Sequence, residues 1–368
     1  MAAELRSFYS KDYIGFIADH LSHHGVQKSN FLNDCFTSHW PDLSLKERAT
    51  HLTSLLCHHL PKDPMEGIAI LKQVLPAISA PTAQKYADML CLFVPDYVVQ
   101  RREDLTLDQV KDALEFFTHN GTTSELAVRP FIQDYSDDMM QWMQSLSHHK
   151  HPNVRRFSSE GCRPRLPWAM ALPALKKNPT PILPILKNLA ADESKFVQKS
   201  VANNLNDIAK DNVDVVLTFA ETHIGNHSHT DWIIKHGTRT LLKAGTPRAL
   251  ALFGMGPVEI QNAALQLATD NLDLGGSQTF SFSGEINGPL PEKLRLEYAV
   301  DFAKANGKMS RKVFMVKELV PSNRHISFTK THKFVDYTTR KHYAGPHRIS
   351  ILVNGTEVAS ASFTLNIP

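Results

Sequence analysis

Two carboxylates stand where a helix disfavours them. Glu160 is the next-to-last residue of the run PNVRRFSSEG, and Asp207 lies near the end of SKFVQKSVANNLNDIAKD. Each falls in the last turn of a predicted helix and faces the negative end of the helix dipole, at a cost of a few tenths to about 1 kcal/mol. Arg156 at i−4 and Arg163 at i+3 can offset Glu160, and Lys210 at i+3 can offset Asp207. That pairing is the purely structural account. The chemical account is that carboxylates set among cations oppose positive charge as it develops on a reacting group, or orient a water. Glu125 is a third candidate with a stronger structural account. Thr122-x-x-Glu125 follows Asn120-Gly121 in the pattern of a capping box, and Arg129 is four residues on. Trp168 opens the segment after Pro164 and Pro167, with Arg163 and Arg165 on its N-terminal side. An aromatic beside arginines in a loop offers stacking area and phosphate donors; an ordinary core tryptophan is the alternative. Trp232 begins a helix and reads as core.

Other chemistries lack their signatures. The 19 histidines form clusters at His23/His24, His58/His59, His148/His149/His151 and His223/His227/His229. His223 and His227 have the i, i+4 spacing of a zinc pair, but Gly225 lies between them and no HExxH occurs, so no metal site is expected. There is no GxxxxGK[ST], no GxGxxG after a strand and no GxSxG, which removes the usual phosphoryl-transfer, dinucleotide and serine-hydrolase patterns.

The elements that must hold these residues are helical from residue 1 to about 271, with apolar residues recurring at three and four. Pro152 suits the first turn of a helix running to about Cys162, stopped by Pro164 and Pro167. Glu193–Lys210 reads as a helix with the stripe Val197, Val201, Leu205, Ile208. PNVRRFSSEG, KFVQKSVANN and DWIIKHGTRTLLKAG echo one another at spacings near 43 and 36 residues, the period of paired-helix HEAT or armadillo units. Such units stack into a solenoid. The pattern changes near Leu274–Gly275–Gly276 to alternation: TFSFSGEI, KLRLEYAVDF, RKVFMVKELV, HISFTKTHKFVDY, HRISILV and VASASFTLNI. Asn354-Gly355 marks a tight hairpin. The expectation is a mainly α chain in two domains: a HEAT-like helical-repeat solenoid over 1–271, then an all-β immunoglobulin-like sandwich over 277–368, without the antibody-type Cys and Trp.

Composition agrees with a folded, multidomain chain: 368 residues, 42% hydrophobic and 21% charged. Its net charge of +3 is unevenly spread. Residues 1–145 hold 12 Lys+Arg against 19 Asp+Glu; residues 146–250 hold 15 against 8; residues 272–368 hold 13 against 8. The positive field therefore lies in the middle and tail, as expected for a polyanion binder, unless it serves solubility alone. Four cysteines at 35, 57, 91 and 162 fit no CxxC motif and suit reduced thiols. MAAELRSFYSKDYIGF lacks a signal-peptide core, and no apolar run is long enough to span a bilayer, so a cytoplasmic location is expected.

The ordered blocks HPNVRRFSSEGCRPRLPW, SKFVQKSVANNLNDIAKD and DWIIKHGTRTLLKAG resemble the bacterial DNA alkylation repair glycosylases of the AlkC/AlkD group, AlkC in particular. The likeness covers roughly 5–270, and the tail is similar to the immunoglobulin-like domain of one AlkC subgroup. It implies a HEAT-like solenoid that wraps duplex DNA, acting as a monomer without a cofactor. It implies hydrolysis of the N-glycosidic bond of cationic alkylated bases, 3-methyladenine and 3-methylcytosine, from bent DNA without a deep base pocket. The catalytic positions then fall on Glu125, Glu160, Asp207 and Trp168, although the Trp/Asp/Trp cleft of AlkD-type members is matched here by Trp168 alone. Arg156, Arg163, Arg165, Lys199, Lys235 and Arg239 are expected to hold phosphates, and the tail cations Lys308, Arg311, Lys312, Arg340 and Lys341 to clamp the duplex from a second side. A non-catalytic HEAT-repeat scaffold for DNA or protein is the alternative.

Overall fold

A computed structural model describes residues 6–80, 90–337 and 340–367. The chain divides into two compact units, one of Met1–Val215 with Gly225–Gly237, the other of Val216–Ile224 with Thr238–Pro368.

The first unit is helical. Three of its helices carry the echoed motifs: Pro152–Gly161, Lys195–Ile208 and Ser228–Gly237. They pack in that order, the first on the second and the second on the third. The aligned positions Val154, Val197 and Ile233 are all fully buried, so the periodic signal marks the seam between successive helices. The approach is close: a Cβ on Gly237 would lie 2.9 Å from Leu205 Cβ. Polar contacts fix the register of the first pair. Ser200 Oγ donates to Ser159 Oγ at 3.0 Å, and Asn204 Nδ2 to the Ser159 carbonyl at 2.8 Å. Pro152 sits in the first turn as expected, and His151 caps it by accepting from the Asn153 amide. Cys35, Cys91 and Cys162 are buried thiols, and no described helix is long and apolar enough to cross a membrane.

The second unit adds a sandwich of two sheets, ordered β1-β3-β6 and β2-β8-β7-β4-β5. The strands are β1 (Glu259–Leu267), β2 (Asn271–Asp273), β3 (Ser277–Asn287), β4 (Leu294–Ala303), β5 (Met309–Leu319), β6 (His325–Lys333), β7 (Gly345–Val353) and β8 (Thr356–Asn366). Phe280, Phe282 and Ile286 of β3 meet Leu296, Val300, Ile349 and Ile351 in one apolar core. The expected Asn354-Gly355 turn joins β7 to β8, with φ of 46° and 80°, the doubly left-handed pair that a two-residue hairpin requires.

The helical pattern expected to 271 ends earlier, at Ala251, and β1 is a strand. Its sequence, EIQNAALQL, is poor in β-branched residues. A bulge between Gln261 and Ala264, with Asn262 at φ 54°, breaks its alternation. As an edge strand it buries little and shows no clean period of two.

Candidate active site

The site is assembled at helix ends. Glu160 and Asp207 occupy the last turns of Pro152–Gly161 and Lys195–Ile208. Arg163, on the loop after the first helix, joins them. Its Nη1 donates to Glu160 Oε1 at 2.6 Å, and its Nε reaches Asp207 Oδ2 at 2.9 Å. Lys210 Nζ holds the other Asp207 oxygen at 2.9 Å. Arg156 pairs with Glu125 and lies 3.7 Å from Glu160. The result is one chain of alternating charge: Glu125, Arg156, Glu160, Arg163, Asp207, Lys210. The three carboxylates are buried, with side-chain exposure of 7%, 7% and 3%. The offsets expected at i−4 and i+3 are therefore all made.

Burial raises the stakes of this pairing. A desolvated carboxylate needs its partners, and removing one leaves the other stranded. One acceptor in the chain is left over: Glu160 Oε2 is buried and has no hydrogen-bond partner. Such an atom calls for an explanation, and an ordered water or a functional role are the common ones.

The capping box at Thr122-x-x-Glu125 does not form. The next helix starts only at Val128, its N-cap is Ala127, and no side chain caps it. Ser124 Oγ donates instead to the Leu114 carbonyl at 2.9 Å. Glu125 is thereby released from a backbone role and turns to Arg156. Arg129 does not pair with Glu125 either; its guanidinium binds the carbonyls of Gly161, Arg163 and Met170.

Trp168 is no core residue. It is 54% exposed and holds a left-handed φ of 67°, sparsely populated for a bulky side chain. It stands on the same loop as Arg163, and Lys46 Nζ donates to its carbonyl. Trp232 is half-buried and stacks on His236 at 5.1 Å.

The expected phosphate holders separate into two groups. Arg156, Arg163 and Arg165 are engaged by carboxylates; Arg165 makes a two-pronged contact to Asp211 at 2.8 and 2.6 Å, which holds the Asp211 carboxyl below its usual range. Positioning acids is thus what Arg156 and Arg163 do in this structure, because their guanidinium groups are desolvated among carboxylates. Lys199 and Lys235 are exposed on their helices. Arg239 heads the short helix Arg239–Lys243 of the other unit.

In that other unit, Lys312, Arg340 and Lys341 line a cavity of about 480 Å³ together with Lys304, Ser310 and Tyr343, and no lining residue is acidic. Arg311 is held by Asp301 and Glu357, and Lys308 lies outside the lining set.

Sequence reasoning missed three contributors. Arg129 was read only as a cation four residues from Glu125, not as the residue that binds the carbonyls of Gly161, Arg163 and Met170. Phe196, whose ring lies 4.2 Å from the Arg156 guanidinium carbon, shows no signal beyond its exposed position beside the stripe. Lys46 is 122 residues from Trp168, and nothing local announces it. Among the described residues, Asp34, His58 and His59 bring donor atoms within 4.8 Å of one another, but they lie on the helices Lys28–Cys35 and Leu45–His59, away from the elements that carry the acids.

Residues 91–241 match the family model "DNA alkylation repair enzyme", and residues 261–367 match "Uncharacterised protein YhaZ, C-terminal Ig-like domain". The protein YhaZ of Bacillus subtilis is 41% identical over 365 residues, which is 98% of this chain and 99% of YhaZ. The chain belongs to the DNA alkylation repair enzyme family. A solved structure of that kind, Pseudomonas fluorescens alkylpurine DNA glycosylase AlkC bound to DNA containing an abasic site analog, is similar with a TM-score of 0.88 and 32% identity, covering 98% of this chain and 99% of the other. Glu125, Glu160 and Asp207 all lie inside the first of these matches, so the ion-pair chain belongs to the segment that matches the repair-enzyme model. The immunoglobulin-like sandwich lies in the second match.

Proposed function

We propose that this protein is a monomeric DNA glycosylase that hydrolyses the N-glycosidic bond of cationic N-alkylated bases, 3-methyladenine and 3-methylcytosine, in duplex DNA. The observation that carries the proposal is the convergence of Glu125, Glu160 and Asp207 in one buried ion-pair chain. The likeness to an alkylpurine glycosylase seen with DNA supports it.

The chemistry follows from charge. Alkylation leaves the base cationic, so when the bond to C1′ breaks and its electron pair goes to the base, the base departs neutral. The positive charge passes to the deoxyribose, as in glycoside hydrolysis generally. A fixed carboxylate in a water-poor site stabilises that charge without having to reorganise. Arg156 and Arg163 hold the acids in place and aligned. Water then adds to C1′ and passes its proton to a carboxylate of the chain, for which the unpartnered Oε2 of Glu160 is suited. Trp168 offers an exposed ring to the opened duplex. Lys199, Lys235, Arg239 and, on leaving Asp211, Arg165 would then donate to phosphates, with the basic cavity of the sandwich unit as a second grip on the backbone.

The test is incubation with duplex carrying 3-methylcytosine, or with methylated DNA containing 3-methyladenine, and chromatography of free base. Asp207→Asn and Glu160→Gln are each expected to slow release tenfold or more while duplex affinity persists. A wild-type protein that binds duplex but frees no base would be a scaffold, and full activity in both variants would refute the assignments.

A further inference from the structure

We infer that Arg129 is a positioning residue, whose guanidinium sets the loop that carries both Arg163 and Trp168. The inference rests on the glycosylase reading for its kinetic consequence, though not for its structural one.

Arg129 lies on Val128–Asp134 and is wholly buried. It binds no carboxylate directly. Nη1 donates to the carbonyls of Gly161 and Arg163, each at 2.9 Å, and Nε to the carbonyl of Met170 at 2.6 Å. These carbonyls bracket the loop. Gly161 ends the helix of Glu160, Arg163 is the residue that ties Glu160 to Asp207, and Met170 follows Trp168 by two. One rigid planar fork therefore fixes where the helix stops, where the loop begins and where it returns. A helix end also welcomes a cation, because its last carbonyls lack intrahelical partners.

The surroundings leave little slack. A Cβ on Gly161 would stand 2.8 Å from Met143 Cε and 2.9 Å from Val128 Cγ1, so the helix end is pressed against the helix of Arg129. The Leu172 amide closes on the Pro164 carbonyl at 3.2 Å. Trp168 keeps its left-handed backbone within this frame. Burial pushes the Arg129 guanidinium down to about 10, against the pull of Asp207 and Glu160, so it stays charged near neutral pH. Lysine cannot reproduce the role: it carries the charge but not the fork.

The experiment uses full-length protein labelled with 5-fluorotryptophan, with the Trp168 signal assigned from Trp168→Phe. Arg129→Met is expected to shift that fluorine resonance, to bind duplex within about threefold of wild type, and to slow single-turnover base release tenfold or more. Arg129→Lys is expected to fall between the two in rate, with a displaced resonance. An unmoved Trp168 signal with release within twofold of wild type, in either variant, overturns the inference. So does failure of both variants to fold, which would make Arg129 a fold residue only. A wild type that releases no base, beside variants whose Trp168 signal moves, sinks the glycosylase reading and leaves the loop-setting role standing.

Discussion

Two sites, one in each unit, use positive charge in opposite ways. In the helical unit, Arg156, Arg163 and Arg165 all face carboxylates, and the first two are drawn into a buried chain with Glu125, Glu160 and Asp207. In the sandwich unit, Lys304, Lys312, Arg340 and Lys341 line a cavity that no acidic residue shares. A count of cations along the chain treats both regions alike. The difference lies in what is desolvated: a guanidinium at a buried helix end is held by an acid, whereas a lysine around an open cavity keeps its charge available to an anion. Arg156 and Arg163 therefore serve the acids, whereas the cations around the sandwich cavity have no acid among the lining residues to hold them.

Removing Arg163 tests the first half of that contrast and carries the largest expected effect. Its guanidinium is the shared partner of Glu160 and Asp207. Arg163→Ala strands two buried carboxylates and is expected to cost about 3–5 kcal/mol of stability, read from urea unfolding followed by tryptophan fluorescence. All four tryptophans lie between residues 40 and 232, so the signal reports the helical unit. A loss under 1 kcal/mol would show that the chain is loosely held and solvated.

The sandwich should fail by a different route, on acidification. His332 is buried beside Phe314 and Phe334, and its Nδ1 lies 3.0 Å from Tyr298 Oη. Burial, with smaller contributions from Arg340 and His342, pushes its pKa down to about 4. The unfolded imidazole titrates near 6.5. Between those values the unfolded chain binds the extra proton, so stability is full above about 6.5 and declines as pH falls toward 4. The interval corresponds to about 3 kcal/mol. Hydrogen exchange in β4 and β6 at pH 7 and pH 5 should show the loss, and His332→Phe should flatten it. Equal protection factors at both pH values in wild type, after correction for the pH dependence of free-amide exchange, would mean the histidine is hydrated.

Much of the site was legible because it is local. The pairings Arg156–Glu160, Glu160–Arg163 and Asp207–Lys210 follow from helical spacing alone. So does the seam through Val154, Val197 and Ile233. What was not legible depended on competition between partners. Thr122-x-x-Glu125 satisfies the rule for a capping box, but the chain delays the helix to Val128, and Arg156, 31 positions along the sequence, takes the carboxylate. Arg129 looks like a helix-surface cation four residues from an acid, yet the carbonyls of a loop 32 to 41 residues away claim it. In the second unit the strands with alternating aromatic and β-branched residues read correctly. β1 did not, because an edge strand with a bulge has neither the burial nor the period that such reading depends on.

The second half of the contrast concerns phosphate, and there the expected effect on the chemical step is smallest. Removing one cation that neutralises a phosphate makes the slope of log affinity against log salt shallower by about 0.9 for duplex DNA. The triple change Lys304→Ala, Lys312→Ala, Lys341→Ala removes three of the four cavity cations, so the slope should become shallower by about 1 to 3. Single-turnover release of base at saturating duplex should stay within about twofold, because none of the three touches the carboxylate chain. Arg163→Lys supplies the mirror image: the slope should hold while the rate drops, since that side chain serves acids and not the backbone of DNA. Were the triple variant to keep the wild-type slope, the sandwich cavity would have no part in gripping the duplex. Were Arg163→Lys to change the slope instead, the helical unit's arginines would leave their carboxylates when DNA arrives, and the division of labour between the units would collapse.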